Sequence, residues 1–275
     1  SIPPTFYYTG DFNGDGKQEL LAVSVHKPFG DTTKPSMCYL FDLNNDKILY
    51  QSSVFPYNIE FVGTQQGDAT AAANNSDKLF VFDYDGDGKT DICHISSTGA
   101  HIYTFDVSGT SISARKVATY SGLTVASLAN RQLYLGDFNG DGLVDFLRSP
   151  SSTIKDDANW MRYYSKGNGT FATSFIKGET IDEENGEGII IQDINGDGKS
   201  DVVKYMDYGF YAYITSDKIF GGEKTYKSYP KLYSVVAPTN LNSHNVFTQI
   251  VSLKDGKAVK YHFSRNDSKN LLMTG

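Results

Sequence analysis

Four nine-residue segments carry oxygen-bearing side chains at one shared spacing. They are Asp11-Phe12-Asn13-Gly14-Asp15-Gly16-Lys17-Gln18-Glu19, Asp83-Tyr84-Asp85-Gly86-Asp87-Gly88-Lys89-Thr90-Asp91, Asp137-Phe138-Asn139-Gly140-Asp141-Gly142-Leu143-Val144-Asp145 and Asp193-Ile194-Asn195-Gly196-Asp197-Gly198-Lys199-Ser200-Asp201. Each offers carboxylate or amide oxygens at positions 1, 3, 5 and 9, and position 7 adds a backbone carbonyl (Lys17, Lys89, Leu143 or Lys199). Such hard oxygen donors in a pliable loop suit Ca²⁺. Glycine at positions 4 and 6 allows the positive φ that wraps a chain around a cation. One copy alone reads as a solvated acidic turn. Four copies in one register predict four structural calcium sites.

The elements that must position these loops are strands. An EF-hand would close its cage with Glu at position 12, between flanking helices. Position 12 is here Ala22, His94, Arg148 and Lys204. Before the loops stand Phe6-Tyr7-Tyr8, Leu79-Phe80-Val81-Phe82, Leu133-Tyr134-Leu135 and Ile189-Ile190-Ile191. After them stand Leu20-Leu21-Ala22-Val23, Ile92-Cys93-His94-Ile95, Phe146-Leu147 and Val202-Val203-Lys204-Tyr205. Short β-branched and aromatic runs bounded by turn residues are the strand signature.

The loops begin at 11, 83, 137 and 193, a spacing of roughly 55 residues with one longer first interval. Each second strand is followed by a hairpin pattern. Examples are Met37–Asp42 before the Leu43–Asp46 turn, and Trp160–Tyr164 before Gly167-Asn168-Gly169-Thr170-Phe171. Asn, Asp and Gly supply the turn conformations. The unit is therefore four antiparallel strands, and its repetition predicts an all-β chain, a β-propeller of four-stranded blades. About five blade units fall at 5–62, 77–125, 131–180, 187–235 and 245–275, in a single domain spanning 1–275. The last is degenerate: Val259-Lys260-Tyr261 echoes Val203-Lys204-Tyr205, but the carboxylates before it are lost. The extra residues between the first two loops are read as a polar excursion from Gln65 to Ser76, with a shorter one at Lys155–Asn159.

The net charge of −7 follows largely from the loops, which hold 13 of the 32 acidic side chains. Four bound Ca²⁺ ions would bring the chain close to neutrality. No basic patch points to nucleic acid. No apolar run approaches the ~18 residues of a membrane span, so no membrane insertion is expected. Cys38 and Cys93 both fall in strand patterns and read as small buried hydrophobes, with a disulfide left open. Calcium loops of modest affinity belong where calcium is near millimolar, which points to an extracellular, secreted or cell-surface location. Asn74, Asn168 and Asn266 begin glycosylation sequons.

These loops, the Gly136–Gly142 string and the Gly167–Phe171 turn together resemble the FG-GAP/VCBS repeat. That repeat builds the β-propeller of integrin α subunits, fungal integrin-like lectins and many bacterial surface and toxin proteins. The resemblance implies that the side chains at positions 1, 3, 5 and 9 and the position 7 carbonyl ligate the ion. Glu19 stands where the repeat has Asp, which puts the first site's denticity in question. The second loop has four Asp and should attract calcium most strongly. Family propellers commonly have seven blades. This chain is either closed with five or part of a larger propeller, and its start at Ser1 fits a segment of a longer polypeptide.

Three functions remain open on this reading. The first is a non-catalytic calcium-binding scaffold, adhesion or interaction module, with a protein or glycan ligand or other domains of a larger bacterial surface or toxin-type protein as partners. The second is a glycan-binding lectin. Its aromatic platform would be Trp160 or the Tyr205, Tyr208, Phe210, Tyr211 and Tyr213 cluster. The third is a calcium-dependent polysaccharide-active enzyme. Its candidates would be His26, His94, His101, His244 and His262, which share no register and accompany no nucleophile motif.

Overall fold

The structure is a computed structural model. It describes residues 5–24, 37–53, 77–154, 157, 159–177, 188–193, 196–206, 209–213, 215, 235–236, 248–254, 257–265 and 271–274. The 65–76 excursion, Lys155, Asp156, Asn195, Tyr208, His26, His244, Asn74 and Asn266 lie outside the described residues.

The described chain is all-β, in antiparallel sheets whose strands neighbour one another in chain order. The first sheet comprises β1 (Thr5–Gly10), β2 (Glu19–Ser24), β3 (Met37–Asp42) and β4 (Lys47–Ser52). The second comprises β5 (Lys78–Phe82), β6 (Asp91–Ser96), β7 (Gly99–Ser108) and β8 (Ser111–Tyr120). The third comprises β9 (Leu133–Gly136), β10 (Asp145–Arg148), β11 (Asn159–Ser165) and β12 (Phe171–Lys177). The fourth shows β13 (Gly188–Gln192), β14 (Asp201–Met206) and β15 (Gly209–Tyr213). The fifth joins β16 (Val235–Val236), β17 (Thr248–Lys254), β18 (Lys257–Arg265) and β19 (Leu271–Thr274).

Burial follows strand position. β6 is almost wholly buried, because the second strand of a sheet is paired on both sides and covered on both faces. β8, at an outer edge, mixes exposed and half-buried residues; they alternate with the strand period of 2 over Ser111–Arg115, up to the register shift against β7. The fifth sheet takes in Val235, which the spacing places at the end of the fourth unit, and Val236, which it places between units. With the carboxylates gone from this unit, the sequence carried no marker for its first strand.

The chain divides into two compact units. The first holds Ser1–Asn130 with Ser165–Phe171, and its core gathers Phe12, Leu21, Val23, Cys38, Leu40, Ile92, Tyr103 and Phe105 from the first two sheets. Phe105 meets Phe12 and Tyr50 edge-on, at ring-centroid distances of 5.9 and 5.4 Å. The second unit holds Arg131–Tyr164 with Ala172–Gly275, and its described core gathers Phe138, Leu147, Trp160, Val202 and Tyr213. Adjacent sheets thus bury their apolar faces against each other within each unit.

Cys38 and Cys93 are both free and buried, which answers the disulfide alternative. Burial pushes the Cys38 thiol up to about 12 and the Cys93 thiol up as well, so neither offers a thiolate.

In the second unit, buried Asp157 pins the connection between β10 and β11. Its carboxylate accepts from Arg131 Nη1 (3.0 Å), Ser151 N–H (2.9 Å) and Asn159 N–H (3.0 Å). Burial raises the carboxyl, but these hydrogen bonds outweigh it and hold the group down at about 2. A depressed carboxyl stabilises the fold above its unfolded pKa of about 4, and that contribution fades as pH falls from about 4 towards 2. In chelator, the stability gap between the wild type and Asp157→Asn should therefore be full at pH 6 and shrink across that window. Trp160 fluorescence during urea unfolding would measure it.

Candidate metal centres

Each loop is the connection of a hairpin between the first and second strands of a sheet. The pairs Gly10↔Glu19, Phe82↔Asp91, Gly136↔Asp145 and Gln192↔Asp201 close it, so position 9 sits opposite the residue before position 1. Strand pairing therefore returns the last carboxylate to the first. This is why positions 1 and 9 converge although seven residues separate them along the chain.

Inside the loop the backbone N–H groups are gathered by the carboxylates. Asp11 Oδ1 accepts from Gly14 N–H at 2.7 Å and Oδ2 from Gly16 N–H at 2.8 Å. Asp83, Asp137 and Asp193 repeat both bonds at 2.6–2.9 Å. The position 5 carboxylates of Asp15, Asp87, Asp141 and Asp197 accept the position 7 N–H at 2.8–3.0 Å. Asn13, Asp85 and Asn139 at position 3 accept from the position 5 N–H.

The glycines at positions 4 and 6 have φ between +71° and +88° in all four loops. That conformation is what turns successive N–H groups inward, and a Cβ there costs about 1–2 kcal/mol. Around Gly142 nothing lies within 4 Å of the place a Cβ would occupy, so Gly142→Ala isolates the backbone cost. It should lower stability by about 1 kcal/mol, measured as a shift in the urea midpoint.

Position 2 and position 9 tie the loop to the core. Phe12, Tyr84 and Phe138 at position 2 are buried, Phe12 and Phe138 within the apolar clusters of their units. Their N–H groups donate to Glu19 Oε2 (2.9 Å), Asp91 Oδ2 (3.2 Å) and Asp145 Oδ2 (2.9 Å). Glu19 reaches the same N–H as the aspartates despite its extra methylene, and its Oε1 accepts from Asn13 Nδ2. Asp201 accepts from Thr215 N–H at 2.7 Å. The aromatic at position 2 was not recognised in the sequence as a core anchor. Its recurrence beside the acidic residues was the available signal.

Among the described residues, two clusters bring their oxygens together. Asp83, Asp85, Asp87 and Asp91 each place one carboxylate oxygen within 4.8 Å of the others, and so do Asp11, Asp15 and Glu19. Oxygens on opposite sides of a calcium ion, each about 2.3–2.6 Å away, stand at about that separation. Asp91 is 1% exposed, and its Oδ1 is buried with no hydrogen-bond partner. Burial pushes this carboxyl up to about 7 against the opposing hydrogen bonds from the Thr104 side chain and the Tyr84 N–H, with Asp85 and Asp87 adding to the rise. Burial also raises Glu19. A buried carboxylate with an oxygen left over, facing three others, is unfavourable unless a cation or proton joins it. These donors fit a hard divalent cation. At the second loop the position 7 lysine pairs with one of these carboxylates. Lys89 Nζ turns to Asp87 (3.3 Å) and the Phe105 carbonyl (3.3 Å).

The other sequence candidates separate. Trp160 is 1% exposed and lies in the core, which removes it as a sugar platform. Tyr213 is also a core residue. Phe210 and Tyr211 lie in β15, but their side chains, like that of Tyr205, are outside the description. His94 is buried, with Nε2 at 2.6 Å from Asp77. Its cross-strand partner His101 hydrogen-bonds Ser96, Thr98 and Thr119. His262 lies in β18 opposite Gln249. No helix among the described residues is long and apolar enough to cross a membrane.

Among solved structures, the chain is similar to an Agrocybe aegerita lectin described as recognising non-reducing terminal N-acetylglucosamine. The TM-score is 0.59 and the identity 14%, over 99% of this chain and 66% of that one. A Bacillus licheniformis rhamnogalacturonan lyase matches at a TM-score of 0.47 and 12% identity, over 97% of this chain and 48% of that one. The chain thus spans just under two thirds of the lectin and about half of the lyase. No curated protein sequence matches it. A family profile described as the FG-GAP-like repeat matches residues 83–148 and 137–203, which run from the second calcium-type loop through the fourth. Two adjacent FG-GAP-like repeats are thus matched within residues 83–203 of this chain.

Proposed function

We propose that the chain is a calcium-stabilised, non-catalytic β-propeller module that presents loops for extracellular recognition. The observation that carries this is the second loop. Four carboxylates converge there, one of them buried with an oxygen to spare, at a hairpin that opens a four-stranded sheet. Three further loops repeat the glycine conformation and the N–H pattern. Asp11, Asn13, Asp15, Glu19 and the Lys17 carbonyl would hold the first ion, and the corresponding residues of the other loops the rest. The ion's part is structural. It neutralises carboxylates that strand pairing forces together, and so fixes the corner between the first two strands. The sheets, in this reading, are blades of one propeller domain, closed with five or continued in a longer chain.

Catalysis has little to work with. The loop oxygens are committed to backbone N–H groups and to the cation, and a calcium site without a substrate-orienting shell is no catalyst. Isothermal titration calorimetry with Ca²⁺ would test the reading. Saturable binding, with the largest loss on Asp87→Asn among the four position 5 variants, is the expected result. Absence of binding at millimolar calcium would sink it.

A second reading is glycan recognition, favoured by the likeness over 99% of this chain to the Agrocybe aegerita lectin. At 14% identity that likeness speaks for the fold, and Trp160 is buried here. A glycan array with calcium and with chelator separates the two. Calcium-dependent retention of terminal N-acetylglucosamine structures would favour the lectin, and retention of none the protein-binding scaffold.

A further inference from the structure

Within each unit, one loop is fastened to the next. The Thr90 N–H donates to the Asp11 carbonyl at 2.7 Å, and the Ser200 N–H to the Asp137 carbonyl at 2.6 Å. Asp11 and Asp137 are position 1 of the first and third loops. Thr90 and Ser200 are position 8 of the second and fourth, each between two expected ligands: the position 7 carbonyl and the position 9 carboxylate. The Ser200 hydroxyl also accepts from Asp137 N–H at 3.0 Å.

The close approach requires glycine. A Cβ on Gly10 would lie 2.6 Å from Thr90 Cγ2 and Oγ1, and one on Gly136 would lie 2.7 Å from Ser200 Oγ. Neither glycine has a positive φ, so space rather than backbone freedom selects it. The contact continues into the loops. A Cβ on Gly14 would come within 2.9 Å of Lys89 Cγ, and one on Gly140 within 3.3 Å of Lys199 Cγ. The second and third loops have no such pair of residues: Phe82 and Val144 stand where Gly and Thr or Ser would be needed.

We propose that the calcium loops work in coupled pairs, the first with the second and the third with the fourth, through this glycine–hydroxyl junction. The proposal rests on the calcium reading above. An ion in the second loop fixes residues 89–91, which orders the Thr90 N–H that holds the Asp11 carbonyl. The first loop then has less backbone left to order when its own ion arrives, so its affinity rises, and reciprocity makes the effect mutual. No such gain links the second loop with the third.

The test uses the full chain with selected loops weakened by Asp→Asn at position 5, a change that keeps the acceptor for the position 7 N–H. Calcium titrations by calorimetry compare chains with the first loop alone, the second alone, both, and the second with the third. With both first and second loops intact, affinity should exceed that of the separate loops by about tenfold, and the second-with-third chain should show no gain. Gly10→Ala should abolish the gain. Adding Thr90→Gly to Gly10→Ala, which clears the clash and keeps the N–H, should restore it. Equal affinities alone and together, or a gain that survives Gly10→Ala, would overturn the coupling while leaving calcium binding intact. Absence of binding in every chain would instead overturn the calcium reading, and the coupling with it.

Discussion

Removing calcium with a chelator should lower the melting temperature by about 15 °C or more, and returning calcium should restore it. The first and second loops place carboxylates within 4.8 Å of one another, and at the second loop Asp91 is buried. Without a cation the charges repel and burial opposes ionisation, as the rise of Asp91 to about 7 shows. A ligand that binds only the folded chain stabilises it by about 2.7 kcal/mol per site at a hundred times its dissociation constant. Two such sites in each unit, as proposed, would make this a large fraction of the 5–15 kcal/mol that a domain typically has. Differential scanning calorimetry in 2 mM-scale calcium (an extracellular level, roughly millimolar) against excess chelator measures it. An unchanged melting temperature would remove calcium from any structural part.

Phe138→Ala should cost about 3–5 kcal/mol and weaken calcium at the third loop as well. Phe138 belongs to the loop by sequence and to the core by position. It is 2% exposed, packed with Leu147, Trp160, Val202 and Tyr213, while its N–H holds Asp145 Oδ2 at 2.9 Å. Truncation opens a cavity beneath the loop and frees the peptide that presents the position 9 carboxylate. Trp160 is the single tryptophan of the chain and shares that core, so its fluorescence reports the unfolding directly. Phe138→Leu, which retains most of the volume, should recover the larger part of both losses. If Phe138→Ala lowered stability but left calcium affinity at the third loop unchanged, the ring would fill space without positioning the site.

Much of this was legible in the residues because the loop is a local object. Its oxygens, its two glycines and its flanking strands lie within about 20 consecutive residues, and turn chemistry acts at that range. The position 4 and 6 glycines took the positive φ expected of them, and the position 9 carboxylates returned to the loop. The antiparallel four-stranded sheets followed from turns and alternation in the same way. The fifth unit was harder. Its loop had lost the acidic marker, and the strand pairing of Val235 with Ser252 spans a distance no local pattern encodes.

Trp160 shows the other limit. An aromatic on an alternating strand serves equally as a surface platform or as core, and composition does not choose between them. Packing against Phe138, Val202 and Tyr213 placed it inside. His94 is similar: a strand histidine in sequence, it became a buried partner of Asp77 once β5 and β6 paired.

The residue order alone was enough for the loop chemistry, the strand–loop–strand unit and its repetition, because each depends on neighbours along the chain. The three-dimensional structure alone revealed that Asp91 keeps an unpartnered buried oxygen, that the position 2 aromatics are core, and that Gly10 and Gly136 are small to admit Thr90 and Ser200. Those facts depend on which side chains meet across separate strands. Burial and close contact are properties of that meeting, and no single segment carries them.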